Sequence, residues 1–475
     1  MSGLYASLNS AVSALTAHSR AVEVAGKNLA NVNNPNYARQ RVIYGDRGTV
    51  VTPEGAQSLG LEALGVEQLR DALLDRQVVR ESARTAYYQM QQNGYQRAQA
   101  ALGQDVASAG STSSTSTDTG IAAALDGMFN AFHSFAANPT DTGQRQTLLQ
   151  SAGILTDRIQ LADSRLAQVQ SDLDAQVTTD VGDANRLMQT VADLNDQIAR
   201  FEINHPGSAI DLRDQRQAAL EKLSAKLPIT TTELSNGKVT ISSVDGGGTA
   251  VVLVSATGVD GPLAFDNSTN PPTITGGASA TVLALNAGAI QGSIDARIDG
   301  IQTLRDQLDA LAKQLVTSIN GIYNPGGTST DFLDASGTTA ATISLAAGLT
   351  PLTLRASASG AAAGDNTVAL AIAQLSSQKF STTNATPDLI DGTFGAFFSG
   401  AVSGLGQALN GATARVNDQG RIEQLVRSQR DTVSGVSLDE EMADLMKYQR
   451  AFQASSRVFQ TIDDLLEVVV NQMGR

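Results

Sequence analysis

Small and apolar side chains recur over the first thirty residues with the spacing of a helix that packs against another helix. This stripe contains Leu4, Leu8, Ala11, Leu15, His18, Val22, Ala25 and Leu29. Successive members lie three or four residues apart, which is the heptad pattern of a coiled coil. The pattern predicts a helix from Leu4 to Val32. The following Asn-Asn-Pro should end it, because proline disfavours helical geometry in the residue before it.

A matching stripe lies close to the other end of the sequence. It contains Leu445, Tyr448, Phe452, Ser455, Phe459, Ile462 and Leu466. Ser437 and Glu440 fit a capping box at the start of this helix, and the acidic run Asp439 to Glu441 suits its positive end. The two stripes predict either an antiparallel pair or two helices that join a larger assembly. Two ordinary amphipathic helices in one core are the simpler alternative.

Helical periodicity also fills most of the middle of the chain. The predicted helices are residues 67–102, 121–137, 143–178, 185–201, 211–227, 290–319, 366–375 and 394–433. Residues 45–60 are rich in Gly and Pro and are expected to form a loop, followed by a short strand at 61–66. The helices on the two sides of residue 228 must pack together, since neither group alone closes a bundle.

The pattern changes to β-type at Pro228. Residues 229–234, 238–244, 249–255 and 281–285 have the composition of strands, and Asn236-Gly237 is a strong hairpin signal. Residues 267–277 are expected to be a loop. The predicted fold is mainly α with inserted β: paired terminal coiled-coil helices, an elongated helical bundle, and a small antiparallel β domain at the far end.

These patterns suggest four regions. The expected regions are a terminal helical assembly domain (1–55 and 430–475), a helical bundle domain (56–227, 289–324 and 376–429), an inserted β domain (228–288), and an irregular or small β-type insertion (325–375).

Composition excludes several classes of function. The net charge is -14 with no cluster of Lys and Arg, which disfavours binding to nucleic acid or to an anionic membrane. There are no cysteines, so disulfides and thiolate metal sites are excluded. No apolar run approaches the roughly 18 residues that span a bilayer, and the N-terminus lacks the features of a cleaved signal peptide. By itself this favours a cytoplasmic protein, unless export proceeds without cleavage.

No catalytic constellation emerges. The three histidines, His18, His133 and His205, are far apart in the sequence and match no metal or triad spacing. Gly246-Gly247-Gly248 opens no helix and precedes no lysine, so a phosphate loop is not expected. The sequence therefore predicts no catalytic residue, no metal site, no cofactor and no enzyme activity.

Motifs at both ends resemble those of the bacterial flagellar rod, hook and hook-associated axial proteins. Residues 28–37 read Asn-Leu-Ala-Asn-Val-Asn-Asn-Pro-Asn-Tyr, similar to the family's Ala-Asn-x-x-Thr-Pro-Gly-Tyr, and an Arg-Gln pair follows at 39–40. Residues 434–441 and 445–454, and the segment Asp211 to Arg216, resemble one hook-associated member. The signature residues are Asn31, Pro35, Asn36, Tyr37, Arg39, Gln40, Leu438, Asp439, Glu440 and Glu441. Asn36 stands where the family has glycine, and a left-handed conformation is expected there.

The resemblance implies a structural subunit of the hook–filament junction, outside the cell, exported through the flagellum's own type III channel without a cleaved signal peptide. The implied partners are neighbouring copies, the hook protein, the next hook-associated protein toward the filament, and an export chaperone on the C-terminal helix. The expected assembly interface consists of Leu4, Leu8, Leu15, Val22, Leu29, Leu445, Phe452, Phe459, Ile462 and Leu466. Another axial protein of the hook or distal rod, or a glycan-binding or enzymatic module in the β insert, remains an alternative.

Overall fold

The computed structural model describes residues 2–52, 55–58, 60–103, 120–327, 329–358, 364–383 and 387–472. Its helices are α1 (Ser2–Ala30), α2 (Ala72–Leu102), α3 (Ile121–Ala137), α4 (Thr142–Phe201), α5 (Ile210–Lys226), α6 (Gly288–Asp295), a π-helical turn (Ala296–Gln302), α7 (Thr303–Tyr323), α8 (Thr367–Gln374), α9 (Phe394–Ser434) and α10 (Leu438–Gln472). Its strands are β1 (Gln40–Asp46), β2 (Thr49–Thr52), β3 (Gly55–Ser58), β4 (Leu61–Gln68), β5 (Thr230–Glu233), β6 (Val239–Val244), β7 (Ala250–Ser255), β8 (Gly258–Val259), β9 (Ala264–Asp266), β10 (Thr273–Gly276) and β11 (Thr281–Val282). The fold is mainly α with inserted β, which confirms the prediction.

The two terminal helices form a pair. α1 packs along α10, and the side chain of Asn28 near the end of α1 lies 3.0 Å from that of Glu441 near the start of α10. The helices therefore run antiparallel, as the two heptad stripes suggested.

A β ribbon supports this pair. β1 and β4 are antiparallel, from Gln40 opposite Gln68 to Asp46 opposite Leu61, and both strands contact α1. Residues 45–60 were expected to be a loop, which is wrong: they contain the end of β1 and the β2–β3 hairpin. Gly48 and Gly60 lie in the connections between these strands, with φ of +97° and +94°. The expected domain boundary after residue 55 falls inside β3.

The helical bundle surrounds one large core. α2, α3, the first half of α4, α7 and α9 bury residues such as Phe132, Phe135 and Leu155, each no more than 2% exposed. The described residues of 325–366 are mostly turns and bends, followed by α8, and Phe332 and Ile343 are buried in this same core. This segment therefore packs as part of the bundle.

α4 is one helix of 60 residues, although the sequence suggested two helices separated at 179–184. Val177, Val181, Ala184 and Met188 are all buried, so the apolar stripe continues through the expected break. Gly182 disfavours a helix by only about 1 kcal/mol relative to alanine, and packing on both sides outweighs that.

The β insert packs on the second half of α4. β5 to β8 form a four-stranded sheet, and β9 to β11 form a three-stranded one. Ile241, Leu253 and Ile274 share a second core with Val181 of α4 and Leu223 of α5. Residues 267–277 were expected to be a loop but contain β10, in which buried Ile274 is flanked by two β-branched threonines.

α6, the π turn and α7 form a continuous helical segment that crosses α2 closely. A methyl group added at Gly94 of α2 would lie 2.4 Å from the Cβ of Ala296 in the π turn. One added at Gly292 of α6 would lie 2.3 Å from the carbonyl oxygen of Tyr87. Both glycines are therefore required by the close approach of the helix backbones.

Candidate assembly interface

α1 presents two faces. The larger heptad residues Leu8, Leu15, Val22 and Leu29 are half-buried, while Ala11 and Ala25 of the same stripe are 7% and 3% exposed. Leu4 lies in the first turn, where the structure describes no side chain. A second face is buried more completely, and it consists of Ala17, Ala21, Val24 and Asn28. These four residues are again spaced by four, three and four, so they form a parallel stripe of mostly small side chains. The heptad pattern predicted the first stripe, and the second was missed.

α10 buries its predicted stripe only partly. Leu445, Phe459 and Ile462 are half-buried, and Leu466 is 9% exposed. Phe452 is 38% exposed, so one chain alone does not cover it. Apart from Phe452, the predicted interface residues of α10 thus lie on the face that is least accessible in the single chain.

Asn28 joins four segments of the terminal unit. Its Nδ2 donates to the carbonyl of Gln40 at 2.8 Å and to Oε2 of Glu441 at 3.0 Å. Its Oδ1 accepts from the hydroxyl of Tyr37 at 2.8 Å and from the backbone N–H of Gln40 at 3.0 Å. Because Asn28 is 1% exposed, these bonds replace water for every polar atom of its side chain.

Arg39 connects the two terminal signatures directly. Its guanidinium donates to Glu440 at 2.7 Å, lies 2.6 Å from Glu441, and is 3.6 Å from Asp444. Its backbone N–H donates to the carbonyl of Ser434 at 2.8 Å. The first turn of α10 is therefore held by an arginine of the N-terminal signature, and Glu440 serves this contact where the sequence suggested a capping box.

The turn after α1 is built by asparagine side chains. Asn31 Nδ2 donates to the carbonyl of Lys27 at 2.9 Å, and Asn34 Oδ1 accepts from the backbone N–H of Asn36 at 3.2 Å. Among the described non-glycine residues only Ala280 has positive φ, so the left-handed conformation expected at Asn36 is wrong. The side chain of Asn34 closes the turn in place of a left-handed residue.

Two arginines attach this turn to the bundle. Arg430 of α9 donates to the carbonyl of Pro35 at 3.3 Å and to Glu221 of α5 at 2.8 Å. Arg70, just before α2, donates to the carbonyl of Asn36 at 3.4 Å. These contacts fix the direction in which the terminal pair leaves the bundle.

The Asp211–Arg216 segment of α5 supplies the opposing charges. Asp211 accepts from Lys27 at 2.7 Å and from Gln40 at 3.4 Å, and Asp214 is ion-paired with Arg70. Burial, and next the charge of Asp214, raises the pKa of the Tyr37 phenol, so its hydroxyl keeps the proton that it donates to Asn28.

Sequence reasoning identified the signature residues but missed Asn28, Arg70 and Arg430. One signal was available for Asn28, because it is a polar residue in register with the small stripe Ala17, Ala21 and Val24. The two arginines act on backbone carbonyls, and such contacts leave no sequence pattern.

A second apolar stripe of α10 faces solvent. It contains Val458, Leu465 and Val468, which are 53%, 51% and 44% exposed, and Leu438, Met442 and Met446 extend it toward the helix start. Asp439 is exposed beside them. This surface is available to other chains.

Neither a metal site nor a membrane span is found in the part of the chain that the structure describes. Within it, no group of three or more His, Asp or Glu side chains could hold a metal ion. None of the helices over the described ranges is long and apolar enough to cross a membrane.

The chain is similar to flagellar proteins along its whole length. Residues 111–340 match the helical domain of the flagellar hook-associated protein FlgK, residues 427–473 the C-terminal family of basal body rod proteins FlgEFG, and residues 8–37 the flagella basal body rod family. Flagellar hook-associated protein 1 of Bacillus subtilis is 25% identical, over 100% of this chain and 99% of that protein. The Escherichia coli protein of the same name is 22% identical over 67% of this chain and 57% of that protein.

A solved structure has the same fold. The hook junction protein FlgK of Burkholderia pseudomallei superimposes with a TM-score of 0.58, at 15% identity, over 76% of this chain and 100% of that one.

Proposed function

We propose that this chain, which belongs to the family of flagellar hook-associated protein 1, is a structural subunit of the hook–filament junction. The observation that carries the proposal is the contact between the two terminal signatures through Asn28, Arg39 and Glu441. Residues more than 400 positions apart build one terminal unit there, and that unit presents the half-buried stripes to neighbours.

The chain acts by assembly. Its curated relatives are named as hook-associated proteins of the flagellum. Assembly uses the incompletely buried residues Leu8, Leu15, Phe452, Phe459 and Ile462, which become fully covered when copies pack side by side. An apolar surface that stays half-exposed in one chain and is removed from water in a tube favours the tube.

Association with further copies and with other proteins of the hook region follows from membership of this family. The finer partners of this proposal are the hook protein on one side, the next hook-associated protein on the other, and an export chaperone on α10 before assembly. The exposed stripe of α10 with Val458 and Leu465 supports a chaperone, since unassembled copies must keep it from aggregating.

The protein is part of the bacterial flagellum. Under this proposal α1 is not cleaved during export, because it supplies Asn28 and the half-buried stripe to the terminal unit. A leader removed from this helix would remove part of the interface.

The four regions of the sequence analysis remain part of the proposal: a terminal assembly unit (1–55 and 430–475), a bundle (56–227, 289–324 and 376–429), a β insert (228–288), and the segment 325–375. The β insert packs with α4 and α5 in a second core that is distinct from the bundle core, which supports treating the insert separately. A hook or rod identity is less well supported, because the match over 111–340 is to the hook-associated helical domain.

The proposal is tested by placing a charge on each stripe. Leu15→Asp and Phe459→Asp should abolish incorporation at the hook tip, because a carboxylate would be buried between copies. Ser19→Asp and Gln460→Asp are the controls, since both residues are exposed on the same two helices. The measurements are motility and labelling of hook ends by electron microscopy in a strain without the natural protein. Normal incorporation of Leu15→Asp and Phe459→Asp would contradict assembly through these stripes.

A further inference from the structure

A cleft of about 420 Å³ lies where β4, α2, α5 and the β insert meet. Four arginines line it: Arg70, Arg76, Arg213 and Arg216. Three carboxylates, Glu67, Asp75 and Glu233, also line the cleft, so the lining has an excess of one positive charge in a chain whose net charge is -14. The cleft is separate from the contact between the terminal signatures.

The three carboxylates that line the cleft already form ion pairs with arginines. Glu67 pairs with Arg41, Asp75 is 3.0 Å from Arg70, and Glu233 is 2.7 Å from Arg213. The guanidinium charges of Arg76 and Arg216 are therefore not fully neutralised by these three carboxylates.

Arg216 is the most unusual of these arginines. It is 5% exposed, and its Nη1 donates to Asn195 at 3.0 Å and to the carbonyl of Gly237 at 2.6 Å. Its Nη2 reaches Glu233 only at 3.9 Å, and within the described ranges its Nε and Nη2 make no hydrogen bond. The Nε–Nη2 edge of a guanidinium binds an oxyanion through two parallel hydrogen bonds.

The surroundings of Arg216 penalise its charge. Burial, and next the neighbouring charge of Arg213, lowers the pKa of Arg216 to about 10. A buried cation without a close counter-charge is unfavourable, and a bound anion would remove the penalty.

Arg76 supplies a second donor at the same cleft. It is exposed on α2 and makes no ion pair or hydrogen bond to another described residue. Its side chain can therefore turn toward a ligand without breaking an existing contact.

We propose that this cleft binds a small dianionic oxyanion of the phosphate class, held by the Nε–Nη2 edge of Arg216 and by Arg76. Two incompletely neutralised guanidinium groups match the charge of such an ion, and the cleft is large enough to admit it. The bound ion connects α2 with α5 beside the β insert. It thereby stiffens the point where the terminal unit, the bundle and the insert meet. This site is independent of the assembly interface proposed above.

The test is isothermal titration calorimetry of the full chain with inorganic phosphate at pH 7, with sodium chloride holding the ionic strength constant. The wild type should bind one phosphate. Arg76→Gln should weaken binding by about tenfold, the effect of losing one charge-assisted hydrogen bond. It should leave the far-UV circular dichroism unchanged, because Arg76 has no partner among the described residues to lose. Arg216→Lys, which keeps the charge but not the two-bond edge, should weaken binding further.

Arg97→Gln is the matched control. Arg97 is also exposed and unpaired among the described residues, lies on the same helix, and does not line the cleft. Equal phosphate affinity in wild type, Arg76→Gln and Arg97→Gln would overturn the proposal, as would the absence of any binding heat in the wild type. Because motility and hook-tip incorporation are not used here, failure of this test would leave the junction proposal unaffected.

Discussion

Replacing Asn28 by aspartate tests the contact between the two ends of the chain with almost no change of shape. The substitution exchanges Nδ2, which donates to Gln40 and Glu441, for an oxygen. A carboxylate oxygen would then face the carboxylate of Glu441 at the present 3.0 Å. Both bonds from Nδ2 are lost, and two negative charges meet in a buried position.

The size of the effect follows from that distance. Two like charges about 3 Å apart repel by roughly 5 kcal/mol at an effective dielectric constant of about 20. The introduced carboxyl can instead take up a proton, which at pH 7 costs about 4 kcal/mol for a group with an ordinary pKa of about 3.9. Once protonated, it restores one of the two donors, so about 1 kcal/mol remains lost. The Asn28→Asp variant should therefore destabilise the terminal unit by about 5 kcal/mol at pH 7.

The loss should shrink in acid. The folded state raises the pKa of the introduced carboxyl, so its stability is greatest below the unfolded pKa of about 3.9 and falls as the pH rises toward the folded value. At pH 5 the proton costs only about 1.5 kcal/mol, and the total loss should fall to about 2 to 3 kcal/mol.

Hydrogen exchange of the full chain, followed by mass spectrometry, measures this loss. Peptides from α1 and α10 should lose protection at pH 7 by roughly 4,000-fold, and part of it should return at pH 5 after correction for intrinsic rates. Asn33→Asp is the control, because Asn33 is exposed in the adjoining turn. Unchanged protection in the Asn28→Asp variant, or a loss that does not depend on pH, would refute the reasoning.

Two further predictions concern the bundle and the insert. Gly94→Ala should destabilise the chain by about 1 to 2 kcal/mol in urea unfolding, because its methyl group would lie 2.4 Å from that of Ala296. Gly153→Ala, whose added methyl group would have nothing within 4 Å, should stabilise the chain by about 0.5 to 1 kcal/mol. Equal effects of the two substitutions would contradict the close helix crossing. Replacing residues 228–288 by a short Gly/Ser linker should keep the first core folded, because no residue of the insert belongs to it; a collapse of the far-UV helical signal would contradict this.

Much of the fold follows from hydrophobic periodicity and from the Gly and Pro residues that end helices. α3 and α5 begin and end within one residue of their predicted bounds, because Gly120, Pro206 and Pro228 limit them. The Leu and Phe stripes of α1 and α10 indicated the terminal pair, and Arg39 of the N-terminal signature contacts Glu440 and Glu441 of the C-terminal one.

The remaining features depend on contacts between distant segments. The break expected in α4 reflected local helix propensity, while the stripe Val177, Val181 and Ala184 is held by the β insert and α5. The buried face of α1 consists of small residues, which carry a weak periodic signal. The position of Asn28 depends on Glu441, whose proximity becomes visible only in the folded chain.

The separation of Asn28 and Glu441 also has a consequence in time. They lie 413 residues apart, and at synthesis rates of about 5 to 20 residues per second α1 is made roughly 20 to 80 s before its partner. An unpaired face of large apolar residues attracts other unfolded chains during this time, and α1 already carries one such stripe with Leu8, Leu15 and Leu29. The face of α1 that is finally buried most deeply is Ala17, Ala21 and Val24, with little apolar area to expose. The small side chains therefore limit the apolar area that this one face of α1 exposes before α10 is made, and they allow close packing in the finished chain.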